Sequence, residues 1–109
     1  MVKPYTTKDK KAIAARHAWA ANFTRCWVCG ERPSFPPLQT HEIRRRGECA
    51  EPFHVANYVR ICQRCHEECH GGYLRAEVLA VLKWIHDEAN FDWDWLNTNG
   101  LKRLLWRPV

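Results

Sequence analysis

The chain has no run of about 18 or more apolar residues, so no membrane-spanning helix is expected. Residues 1–11 lack the apolar stretch of a secretory signal, so no leader is expected either. Internal repeats and low-complexity tracts are missing. Outside Arg44, Arg45 and Arg46 there is no extended basic region, and no discrete reading helix stands out. What is present fits a small globular domain. At 109 residues the chain is expected to form one domain. A core of that size gains from a metal or disulfide staple. Without a secretory leader the expected location is the cytoplasm. There cysteines stay reduced, and paired Cys-x-x-Cys favours metal over disulfide. The net charge of +5 favours a polyanionic partner, nucleic acid above all.

Helical spacing of Ala12, Ala15, Trp19 and Phe23 predicts an N-terminal helix over 7–24, with Thr7 as its cap and Asp9 in its first turn. Cys26-Trp-Val-Cys29-Gly30 ends it in a knuckle. The prolines in 31–37 predict a loop. A short strand over 38–43, a loop over 44–56 and a second strand over 58–61 follow. Cys65 is expected to open a short helix that Gly71-Gly72 stops. A longer helix over 73–90 should bury a stripe of Leu74, Val78, Val81, Leu82 and Ile85 and leave Arg75, Lys83 and Asp87 polar. His17 and His86 read as incidental. After Asn99-Gly100, residues 101–106 are expected to add a last helical turn or two. Trp93, Trp95 and Trp106 suit packing on the scaffold helix, a contact with a protein partner or second copy, or base stacking.

Two Cys-x-x-Cys pairs, Cys26/Cys29 and Cys62/Cys65, are suited to one tetrahedral structural Zn²⁺, because soft thiolates prefer that ion. Cys49 and Cys69 lack such partners, although Cys69 competes as a ligand. His66 and His70 are four apart. On a helix they share a face and suit chelation of a second ion, with His41 reaching it from the first strand. Imidazole suits Zn²⁺, Ni²⁺, Mn²⁺ or Fe better than Mg²⁺.

The series Cys26/Cys29, His41-Glu42-Ile43, Asn57, Cys62/Cys65, His66 and His70 resembles the core of HNH endonucleases of the zinc-containing ββα-metal type. The resemblance covers residues 26–72, with an N-terminal helix before it and a C-terminal helical scaffold over 73–109. It implies an α+β fold with a ββα-metal core. It also implies hydrolysis of phosphodiester bonds in DNA, with RNA a further possibility, by a divalent catalytic ion: Mn²⁺, Ni²⁺, Zn²⁺ or Mg²⁺. Small proteins of this kind are often carried by phages, which would place this one in a host cytoplasm. By the same resemblance Asn57 holds the loop or the base in place, and His66, His70 or both hold the ion. Arg44, Arg45 and Arg46 would clamp backbone phosphates, or form a solvated loop. One departure matters. The residue before the isoleucine is usually the base histidine, and here it is Glu42. Either Glu42 is the base and His41 a ligand, or His41 is the base and Glu42 joins the ion. A third reading is a non-catalytic zinc module that binds nucleic acid or regulates a partner.

Overall fold

The computed structural model describes residues 6–45, 47, 54–70 and 75–101, the side chain of His70 excepted. Arg46, Cys49, Gly71, Gly72, Leu74 and Trp106, all named above, lie outside the described residues. So does the expected last helical turn, apart from Leu101. Among the described residues the arrangement is α+β, with a two-stranded sheet and four α-helices.

Helix α1 spans Thr7–Ala20. Its cap is Thr6, one residue earlier than the spacing predicts. Thr6 Oγ1 accepts from the Asp9 amide, and the Asp9 carboxylate accepts from the Thr6 amide, a reciprocal pair that satisfies two end donors. The helix stops at Ala20, so Phe23 lies beyond it. Phe23 still packs on Trp19 and Trp27, at 5.1 Å between ring centres in each case. Ala15, expected in the buried stripe, is exposed. Only the last turn, Trp19 and Ala20, is buried.

Strands β1 (Gln39–Glu42) and β2 (Tyr58–Ile61) pair antiparallel, with His41 opposite Val59 and Thr40 opposite Arg60. The second strand falls where expected, and the first is shorter by one residue at each end. Tyr58, Val59 and Ile61 are all inaccessible to solvent. Both faces of β2 are therefore covered, since neighbours along a strand face opposite ways. Trp19 of α1 covers the Tyr58 face, at 5.9 Å between rings.

Helix α2 spans Gln63–His70 and begins two residues before Cys65. It follows β2 after Cys62 alone, so its position is tied to the strand. Helix α3 spans Ala76–His86, shorter than 73–90, and a 3₁₀ turn, Glu88–Asn90, follows. Its buried face matches the expected stripe only in part. Leu82 packs against the core, but the fully buried positions are Leu79, Ala80 and Lys83, while Val78 is 43% and Ile85 63% exposed. Lys83 is completely buried. Its Nζ lies 2.6 Å from Asp87 Oδ2 and 4.4 Å from the centre of the Trp19 ring. Trp19 Nε1 donates to the same carboxylate oxygen at 2.8 Å, and Asn90 Nδ2 to both oxygens. Burial pushes the Lys83 ammonium below its ordinary range, partly offset by Asp87. The helix turned its polar pair inward because Asp87 and the tryptophan faces satisfy a cation there. His86, read as incidental, stacks on Trp27 at 5.4 Å.

Helix α4 spans Trp93–Thr98, capped by Asp92. Leu96 and Leu101 close the core. Trp95 packs against the ring of His54 at 5.1 Å rather than on the scaffold helix alone. Among the described residues no helix is long and apolar enough to cross a membrane.

Candidate metal centre and histidine pair

The knuckle is built by its own backbone. The Gly30 amide donates to the Cys26 carbonyl at 2.9 Å, and the Cys26 amide to the Glu31 carbonyl at 2.8 Å. Gly30 takes φ of +75°, a left-handed conformation that glycine adopts without penalty. The Val28 amide points at Cys26 Sγ, 3.4 Å away, a polar contact that favours a thiolate. The Trp27 amide donates to the Arg60 carbonyl at 3.0 Å. That bond pins the knuckle to β2 and brings Cys29 Sγ to 3.7 Å from Cys62 Sγ.

The four sulfurs of Cys26, Cys29, Cys62 and Cys65 lie within 4.8 Å of one another. Cys26, Cys62 and Cys65 are buried, and Cys29 stands at the rim. Among the described residues this is the one group of three or more side chains placed to hold an ion. Cys69 is not part of it. Burial and the neighbouring thiols push the Cys65 thiol far above its ordinary range. Four thiols this close resist ionising together unless a cation compensates, which is what a closed tetrahedral zinc site supplies. Arg64 lies beside Cys29, and that contact raises its own pKa.

The same knuckle positions a second group. Cys65 is followed by His66, whose amide donates to the Cys62 carbonyl in the first turn of α2. The His66 ring meets that of His41 on β1, with centres 4.8 Å apart and planes at 78°. Two of the three expected histidines are thus together. The side chain of the third, His70, lies outside the described residues. Glu42 is next to His41 in the strand, so alternation directs it to the other face, opposite Tyr58.

Asn57 is wholly buried and ties off the strand end. Its carbonyl accepts from the Ile43 amide at 2.7 Å. Its side-chain Oδ1 accepts from the Arg44 amide at 2.7 Å, and its Nδ2 donates to the Arg44 carbonyl at 3.0 Å. The carboxamide acts as one more rung of the ladder. Arg44 is half-buried, with Nη2 2.9 Å from where a side-chain carbon on Gly100 would sit. Arg45 is exposed. Arg44 and Arg45 therefore differ in exposure, and Arg46 lies outside the described residues. Sequence reasoning gave no role to His54, whose Nδ1 accepts from the Ala56 amide at 3.0 Å and caps the 3₁₀ turn leading to Asn57. The signal for it was a histidine just before a short turn, which is too common to single out.

No protein-family model matches this chain, and neither the curated proteins nor the solved structures include one similar to it.

Proposed function

We propose that the protein is a metal-dependent endonuclease of the HNH type that hydrolyses phosphodiester bonds in DNA. The observation that carries this reading is the juxtaposition of His41 and His66 across β1 and α2, beside a four-thiol cluster that could hold zinc. A purely structural zinc module has no use for the histidine pair. The order of two antiparallel strands and a helix, with the histidines on the first strand and the helix, supports the same reading.

His66 and His70, four apart on α2, would hold a divalent ion beside His41, and the imidazole donors suit Mn²⁺, Ni²⁺ or Zn²⁺. Such an ion stabilises charge on the phosphate and the leaving oxygen. His41 would accept the proton of the attacking water, because alternation along β1 turns Glu42 to the face of the sheet away from His66. Asn57 fixes the end of the strand that carries His41. Arg45 would meet backbone phosphate, giving affinity without sequence readout.

Cleavage of supercoiled plasmid, with Mg²⁺, Mn²⁺, Ni²⁺ or Zn²⁺ added in turn, tests the proposal. Metal-dependent cleavage that vanishes in His41→Ala is the expected result. Glu42→Gln, which alters only the opposite face of β1, should leave most of the activity in place. A loss of roughly 10²–10⁴-fold in Glu42→Gln would transfer the base role to that carboxylate. No cleavage with any ion, or equal cleavage by the native protein and His41→Ala, would overturn the nuclease reading in favour of a non-catalytic zinc module.

A further inference from the structure

On the other side of the sheet from His41 lies a cleft of about 470 Å³ between α1 and the two strands. Arg16, His17, Thr40 and Arg60 line it together with the carbon walls of Ala20 and Leu38. Among the described residues no carboxylate does. Arg60 is held rigidly, its Nη1 donating to the Leu38 carbonyl at 3.1 Å and to Thr40 Oγ1 at 3.0 Å. Its Nε is shielded from solvent and has no hydrogen-bond partner among the described residues. Arg16 is held from the other wall, its guanidinium 5.5 Å from the centre of the Tyr58 ring.

We propose that this cleft binds a backbone phosphate of a nucleic-acid strand, at a site separate from the histidine pair. Two guanidinium groups on opposite walls match the several oxygens of a phosphate, which arginine engages through paired donors. The volume falls in the range of ligand sites and exceeds what a lone ion needs, so a sugar can enter beside the phosphate against Ala20 and Leu38. Among the described residues the walls carry no aromatic side chain and Leu38 as the one large aliphatic one, short of the clustered anchors on which protein interfaces centre, and that favours nucleic acid over an acidic protein. The site does not depend on cleavage, and stands whether or not His41 serves a nuclease.

The test is fluorescence anisotropy with a short labelled single-stranded oligonucleotide, using zinc-loaded protein and no other divalent ion. Arg16→Gln/His17→Gln is compared with Lys8→Gln/Lys10→Gln, which removes more formal charge from the same helix but outside the cleft. The cleft variant should bind about tenfold or more weakly, with its salt dependence reduced by roughly one unit of log–log slope. The lysine variant should change by less than about threefold, since diffuse surface charge is screened. Thr40→Val, which removes the anchor of Arg60, should weaken binding by an intermediate factor. It carries the test if the double variant fails to retain zinc or to unfold cooperatively. Equal loss in the lysine and cleft variants, or no loss in the cleft variants, would overturn the proposal. Inorganic phosphate and a mononucleotide serve as competitors. If they bind in the cleft while the oligonucleotide is insensitive to the substitutions, the site takes a free anion and the nucleic-acid assignment falls.

Discussion

The four-thiol cluster and the Lys83–Asp87 cluster both place ionisable groups in a small apolar interior, and they are satisfied in opposite ways. The thiols are four groups of one kind, crowded within 4.8 Å, and an ion from outside is what would let them ionise together. Lys83 and Asp87 are opposite charges 2.6 Å apart, and Trp19 and Asn90 supply the remaining donors from within the chain. Metal in the first site would tie stability to metal supply. The second is complete when the chain folds. Both hold α1, the knuckle and α3 together, because Trp19 and Trp27 sit between them: each ring lies near Lys83, and Trp27 is flanked by Cys26.

Stripping the metal should separate the two most sharply. Structural zinc in small domains contributes on the order of 10 kcal/mol or more, about the whole stability of a domain. Treatment with a strong chelator should therefore abolish cooperative thermal unfolding by circular dichroism. Metal analysis of the native protein should return one zinc per chain. A chelated protein that melts as before would place the thiols outside any structural role.

Breaking the internal pair comes next. Lys83→Met leaves the Asp87 carboxylate buried beside Trp19, and should cost about 3–5 kcal/mol in urea unfolding. Lys83→Met/Asp87→Leu removes both charges and should recover most of that loss. Equal losses in the single and double variants would mean that packing of the lysine stem, not charge pairing, holds the cluster. Trp19→Phe keeps the ring stacking and deletes the indole donor to Asp87. It should cost roughly 1–3 kcal/mol, as one hydrogen bond to a charged group does. The smallest effect is expected at Ile85→Lys, which changes an exposed position on α3 and should move stability by no more than about 0.5 kcal/mol. A large loss there would restore the apolar stripe that periodicity suggests.

The contrast between the clusters also explains what the sequence reveals. Ligand chemistry is local. Cys-x-x-Cys spacing is set by the geometry of a single turn, so both pairs, and the histidine following the second, are legible without a fold. The placement of β2 is legible too, because a fully buried strand reads as a short apolar run. The α3 face is not. Its periodicity offers Val78 and Ile85 as core, and no local signal says that Lys83 will find Asp87 together with a tryptophan 64 positions earlier in the chain. The cleft of Arg16 and Arg60 is hidden for the same reason: its walls come from a helix and a strand that only the fold brings together. Helix ends escaped by a residue or more because Thr6 and Thr7 are equivalent as caps until Asp9 chooses between them.

The carboxamide of Asn57 bridges thirteen positions of chain, joining Arg44 to the start of β2 at both its amide and its carbonyl. Such a clasp makes the two ends of the intervening segment neighbours whatever its length. Doubling a closed loop adds only about 0.6 kcal/mol of closure entropy. The stretch between Arg45 and His54 can therefore be lengthened, shortened or exchanged for another with little effect on where His41 and Glu42 stand, which makes it a natural point for grafting new recognition elements onto an unchanged centre.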